Sequence, residues 1–368
     1  MYTNNQQAFI ALVKAGLWVK EARLSQFDEI GFSEVMRIAE EQSIVGLATA
    51  GLEHVADVNV PQEILLQFVG QTLQIEQQNK AMNAFIGRLI DDLRNAGIFV
   101  LLVKGQGIAQ CYEKPLWRAS GDIDLLLNDE DYIMATEYIS RSATSIKQEK
   151  PQTKHLGMNV DGWTIELHGS LASQLGKKID GKLFELQADC FDNSRVRSWH
   201  NGQTDVFMPD VDNDVIFVFA HILQHLFKGG IGLRQVCDWT RLLWTYRKEI
   251  NRSLLVSRLK EMGIVSEWKT FAALVVNWLG MPVDAMPLYD KRYKKKGELL
   301  LDYIIDVGNF GHNRELSYTM EQPAFIRKLN ITKVQLKDSL RLTRLFPIDA
   351  PRFFFSFLWN GLRNAVGK

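Results

Sequence analysis

The sequence predicts an α+β fold, in which a small mixed β-sheet core is flanked by N-terminal helices and a larger C-terminal helical region. Three observations predict it. Apolar residues recur at helical spacing up to residue 96. Short apolar runs of strand character then follow one another between residues 98 and 168. Helical spacing returns from Asp212 and persists. The regions so marked are 1–96, 97–210 and 211–368, in keeping with roughly 150 residues per domain.

In the first region Phe9, Leu12, Val13 and Leu17 share one helical face, as do Val35, Ile38 and Ala39. Asp57–Pro61 breaks the pattern, with Pro61 suited to the first turn of the next helix. That helix runs over 62–95 and ends at Ala96-Gly97, a C-cap signal. The strands expected next are Ile98–Val103, Ile123–Leu127, Thr144–Glu149, His155–Val160 and Trp163–His168. Asp161-Gly162 joins the last two as a two-residue hairpin turn. Helical segments are expected near Gly107–Tyr112 and over Asp129–Ser140, and in the third region near 213–228, 231–248, 252–262 and 265–279.

Forty-three Lys and Arg balance 43 Asp and Glu, which excludes a bulk polycation that coats nucleic acid by charge alone. Three scattered cysteines, Cys111, Cys190 and Cys237, form neither a disulfide framework nor a cysteine zinc site. The N-terminus lacks the pattern of a signal peptide. Polar residues interrupt every apolar run, Phe271–Met281 included, short of the length that crosses a bilayer. The expectation is a cytoplasmic protein with no transmembrane segment.

Two acids spaced Asp-x-Asp occur four times, and context separates the pairs. Asp129 and Asp131 open a helix, where acids complement its dipole. Asp210, Asp212 and Asp214 look like the start of a calcium loop, but Val215 and His221 stand where that loop needs glycine and glutamate. Asp122 and Asp124 open an apolar strand after Gly121 and point the same way, since side chains two apart on a strand share a face. Two such carboxylates repel and lose solvation unless a cation joins them. The pair is therefore a candidate Mg²⁺ site, the alternative being an edge strand with two solvated acids.

Two further elements bear on this site. Strand Ile98–Val103 runs into Lys104-Gly105-Gln106-Gly107 and a helix start, an arrangement that offers backbone N–H groups to phosphate; an ordinary βα turn is the alternative. In Trp163–His168, Glu166 and His168 share the face opposite Trp163, Ile165 and Leu167. A third acid on a neighbouring strand completes a metal cluster or takes a proton; a solvent-facing amphipathic strand is the alternative.

Together these elements resemble the nucleotidyltransferase superfold typified by DNA polymerase β. The stretch LLVKGQGIAQCYEKPLWRASGDIDLLL is more closely similar to an uncharacterised bacterial nucleotidyltransferase family, whose members share a Lys-Gly turn, an Arg before Gly-Asp-Ile-Asp and a later Glu-x-His strand. Here these are Lys104-Gly105, Arg118, Gly121–Asp124 and Glu166/His168, and the similarity continues through His221, His225, Arg234 and Asp238. The resemblance implies a nucleotidyltransferase core at 97–210. It implies NTP as one substrate, an unknown hydroxyl-bearing acceptor (small molecule, RNA or protein) as the other, and Mg²⁺ as cofactor. Asp122, Asp124 and Glu166 would be catalytic and metal-binding; Lys104, Gly105, Gly107, Arg118 and Gly121 would hold phosphate. His168, His225, Arg234 and Asp238 would line a substrate pocket, with Arg234 and Asp238 spaced for an intrahelical pair. The wider superfamily prefers Gly-Ser where this chain has Gly105-Gln106, so a catalytically silent nucleotide- or partner-binding module is the alternative reading. His221 and His225 share a helix face, but Ile222 stands where a zinc-protease motif needs glutamate. The basic stretch Ala324–Lys368 and Lys291–Lys296 read as solvated faces, with the aromatic run Phe353–Trp359 packed.

Overall fold

A computed structural model describes residues 2–149, 154–309, 324–355 and 358, the side chains of 324–329 excepted. Four N-terminal helices come first: α1 (Asn4–Trp18), α2 (Phe32–Glu41), α3 (Val45–Leu52) and α4 (Gln62–Asn95). Thr3 caps α1 in a reciprocal capping box with Gln6, and the expected apolar face, Phe9, Leu12, Val13 and Leu17, is fully buried. Pro61 stands immediately before α4, and Gly97, with φ 76°, lies just beyond its end.

The core follows as β1 (Leu101–Val103), α5 (Gly105–Ala109), β2 (Asp122–Leu126), α6 (Asp129–Ser140), β3 (Ser145–Ile146), β4 (His155–Val160) and β5 (Trp163–His168). These strands form one mixed sheet in the order β1-β2-β5-β4-β3, in which β2 and β5 are parallel and the other neighbours antiparallel. The Asp161-Gly162 turn closes β4 onto β5, pairing Val160 with Trp163, with positive φ at both turn residues as a type I′ hairpin requires. β1 is shorter than expected. The Ile98 N–H closes the end of α4 on Leu93, and the Phe99 N–H goes to Asp131 of α6, so neither joins the ladder.

Two elements absent from the sequence expectation follow: α7 (Lys177–Asp192) and a separate hairpin, β6 (Val196–Asn201) with β7 (Thr204–Pro209). The C-terminal region is α8 (Val211–Lys228), α9 (Leu233–Thr245), α10 (Arg252–Met262), α11 (Val265–Trp278), α12 (Lys294–Val307) and α13 (Ala324–Thr343). Among the described residues no helix is long and apolar enough to cross a membrane.

The first and last regions share one apolar core. Trp18 donates to the Leu279 carbonyl, Arg241 to those of Leu17 and Cys111, and Gln42 to that of Ile304. Phe219, Trp239, Trp268 and Phe271 pack ring to ring at 4.7–6.3 Å and fix α8, α9 and α11 to one another. Each such buried side chain contributes about 1.5–3 kcal/mol of transfer free energy. A second core lies under the sheet, where Phe85, Ile86, Ile90 and Leu93 of α4 meet Ile123, Leu125, Ile165 and Leu167. The helices α8 and α9 are thereby held over the sheet's opposite face.

Lys291–Tyr293 form a 3-10 turn and Lys294–Lys296 open α12, with Arg292 folded onto Asp290 and Lys296 donating to the Leu345 carbonyl. Within the aromatic run, Phe353 stacks on Phe227, while Ser356, Phe357 and Trp359 lie outside the residues described. So do 310–323 and 360–368.

Candidate active site

The alternation of β2 and β5 builds the site. Ile123, Leu125, Ile165 and Leu167 enter the core, so Asp122, Asp124, Glu166 and His168 occupy the other face. The parallel register sets Asp124 opposite Glu166 and Leu126 opposite His168, while β4 brings His155 opposite His168. One carboxylate oxygen from each of Asp122, Asp124 and Glu166 lies within 4.8 Å of the other two. Asp124 is buried, Glu166 half-buried, and Asp122 exposed at the rim.

Cations and imidazoles already sit among these acids. Lys104 Nζ donates to Asp124 Oδ1 at 2.8 Å, and His168 Nε2 reaches the same oxygen at 2.7 Å. His155 Nε2 lies 2.9 Å from Glu166 Oε2. Burial opposes charge on Asp124, but Lys104 and His168 overcome it and hold the carboxyl well below its usual range. Burial likewise opposes charge on Lys104, and Asp124 more than offsets it. The negative charge of Asp124, with partial burial, raises Asp122. Hydrogen bonding to His155 lowers Glu166 against its burial, and burial lowers His168. The Lys104 backbone (φ 60°, ψ −145°) lies at the edge of a region that only glycine occupies freely, a strain of about 1–3 kcal/mol held at the end of β1. Gly105, with φ 43°, turns the chain into α5, a helix of only five residues.

Helices α8 and α9 roof this face and enclose a cavity of about 520 Å³. Its lining includes Lys104, Gly105, Arg118, Gly121, the three acids, His168, His225, Arg234 and Asp238. Gly107 lies apart from them. A Cβ at that position would meet Met208 Sδ of β7 at 2.5 Å, so this glycine serves packing of α5 on β7.

The wall at α9 differs from the spacing argument. Asp238 pairs with Arg118 and not with Arg234, accepting from Arg118 Nε at 2.9 Å and Nη2 at 2.7 Å, and from the Tyr112 hydroxyl at 2.8 Å. Arg118, though it belongs to a loop, is therefore a buried fork on a carboxylate. Arg234 Nη1 donates to the Ala119 carbonyl at 3.0 Å, and its buried Nε has no hydrogen-bond partner among the described residues. Burial and the charge of Arg118 push Arg234 down.

Gln106, which replaces the serine of the wider pattern, turns away from the cavity. Its amide donates to Asn79 Oδ1 at 2.6 Å and Ser120 Oγ at 3.1 Å, and Asn79 in turn donates to the Leu116 and Arg118 carbonyls. Gln106 thus anchors the 116–120 loop to α4. His221 and His225 line the same cavity with rings 4.3 Å apart. Burial, followed by Lys104, lowers both, His225 to about 4.

Asp210 caps α8, and Asp210 and Asp212 are paired with Arg195, Asp214 with Arg197, which accounts for that acidic triplet without a metal ion. His155, Asn79 and Tyr112 were not singled out by the sequence argument. A signal for His155 existed: counting back from the two-residue turn sets it opposite His168. Three carboxylate oxygens form a hard donor set of the kind Mg²⁺ takes.

Residues 28–280, more than half of the chain, match the model of a protein family described as uncharacterised nucleotidyltransferase. No curated protein and no solved structure matches.

Proposed function

We propose, since the chain belongs to the family of uncharacterised nucleotidyltransferases, that it transfers a nucleoside monophosphate from an NTP to a hydroxyl acceptor in a Mg²⁺-dependent reaction. The observation that carries this reading is the convergence of Asp122, Asp124 and Glu166 within 4.8 Å on the floor of the cavity. The acceptor oxygen forms a bond to the α-phosphorus, the α–β phosphoanhydride bond breaks, and pyrophosphate leaves with the electron pair. When bound, Mg²⁺ supplies charge neutralisation at the phosphate oxygens. Asp122 and Asp124 would hold it, and Glu166 would be a further ligand or the base that takes the acceptor's proton at a carboxylate oxygen. Lys104 would exchange Asp124 for a phosphate oxygen. Arg118 and Arg234 would provide the positive wall, Arg118 from its place on Asp238, and His168 and His225 would border the acceptor or base.

A second reading has an observation of its own. The ammonium of Lys104 already neutralises Asp124, and Gln106 is spent on the loop, as in a silent module that binds a nucleotide or partner without transfer. Incubation with each labelled NTP and Mg²⁺ separates the two. Transfer activity predicts pyrophosphate release that Asp124→Asn abolishes. Nucleotide binding without pyrophosphate favours a silent nucleotide-binding module, and neither binding nor release contradicts transfer and leaves the partner-binding form.

A further inference from the structure

We infer that the sheet floor carries a second cation position, in which His155, Glu166 and His168 bind a divalent metal of the Zn²⁺ or Co²⁺ class. Each residue offers one ligand atom, and the three atoms lie within 4.8 Å of one another. The two imidazoles stack at 4.7 Å between centroids with 17° between planes. Both Nε2 atoms face Glu166 Oε2, at 2.9 Å for His155 and 4.0 Å for His168, while His168 also reaches Asp124. This is a built arrangement. The β4–β5 ladder pairs His155 with His168 and is pinned by a two-residue turn.

The position is distinct from the carboxylate trio, which spans β2 and β5, and shares only Glu166 with it. The donor chemistry differs as well. Three carboxylates suit a hard cation that dehydrates reluctantly, whereas two imidazoles and a carboxylate suit Zn²⁺ or Co²⁺. The surroundings favour the same class, since His221 and His225 line this cavity too, so that among the described residues four histidines face one space. The simpler role for His155 is a ring N–H that only positions Glu166, and the test must separate the two.

The inference concerns metal binding alone, so it stands or falls apart from nucleotidyl transfer, which pyrophosphate release decides. Chelator-stripped full-length protein is titrated calorimetrically with Zn²⁺ and with Mg²⁺, and with Co²⁺ followed by visible absorption. Wild type is expected to bind one Zn²⁺ per chain, at least about 10-fold tighter than Mg²⁺. His155→Asn, checked for folding by thermal melting, should weaken Zn²⁺ by at least an order of magnitude and remove the Co²⁺ band, while Mg²⁺ affinity stays within about 3-fold. His155→Gln serves if the asparagine variant does not fold. Three results overturn the inference: no Zn²⁺ binding by wild type, Zn²⁺ affinity unchanged in the variant, or Zn²⁺ and Mg²⁺ weakened alike, which is the mark of a positioning role only.

Discussion

The floor and the α9 wall of the cavity are charge clusters, the floor partly and the wall largely buried, and they are unbalanced in opposite senses. On the floor, Asp122, Asp124 and Glu166 face one ammonium, that of Lys104, together with the imidazoles of His155 and His168. On the wall, the guanidiniums of Arg118 and Arg234 face the carboxylate of Asp238. The floor has a surplus of acceptor oxygens and the wall a surplus of N–H donors. Groups buried in this way are costly unless paired, so an unbalanced cluster of each sign across one space suits a ligand that carries both signs. A metal-bound polyphosphate is such a ligand. The comparison also separates rigidity from exchange. Arg118 is locked by two parallel hydrogen bonds, whereas Lys104 makes a single contact from a strained backbone.

The largest effect should come from breaking the wall. Asp238→Ala leaves the buried Arg118 guanidinium without its paired carboxylate and removes the partner of the Tyr112 hydroxyl. A loss of about 3–5 kcal/mol is expected, read by urea unfolding. Asp124→Asn breaks the floor but should cost less, about 1.5–3 kcal/mol, because Asp122 and Glu166 remain beside Lys104.

Smaller changes sharpen the contrast. Lys104→Gly and Lys104→Ala both lose the ion pair, but only glycine relieves the backbone. The glycine variant should be more stable than the alanine variant by about 1–2 kcal/mol in thermal melts. Asp122→Asn should act in the opposite direction to Asp124→Asn. Asp124 raises the Asp122 carboxyl in the folded state, so its contribution to stability is present below its unfolded pKa and is lost as pH rises through the folded value. The variant should therefore match or exceed wild type at pH 7, by no more than about 0.5 kcal/mol given solvent screening at the rim, and show no gain near pH 3.

Much of the floor was legible because strand alternation and a hairpin turn are local signals. Asp122, Asp124 and Glu166 follow from period-two patterning, and the Asp161-Gly162 turn sets the pairing of β4 with β5. What local patterning does not carry is the partner of a charge. Asp238 lies 120 residues from Arg118, and the helical spacing that suggested Arg234 as its partner was outweighed by a fork of better geometry from the 116–120 loop. Gln106 was legible as a departure from the glycine-serine pattern but not as the anchor of the 116–120 loop, since that role depends on Asn79 of α4. The hairpin β6–β7 carried a signal that alternation alone obscured, a two-residue turn with Gly202 at its first position and φ 66°. Helix α7 was legible as well, since Ile179, Leu183, Leu186 and Cys190 recur at helical spacing and all four are buried.

The central claim is that floor and wall bind a metal nucleotide together, and reciprocal linkage tests it most directly. The measurement is calorimetric titration of wild type with a non-hydrolysable NTP analogue, in Mg²⁺ and in chelator. The account predicts binding in Mg²⁺ that weakens at least about 10-fold in chelator, with Mg²⁺ affinity raised by the same factor when the analogue is present. Equal affinity for the analogue with and without Mg²⁺ would contradict it.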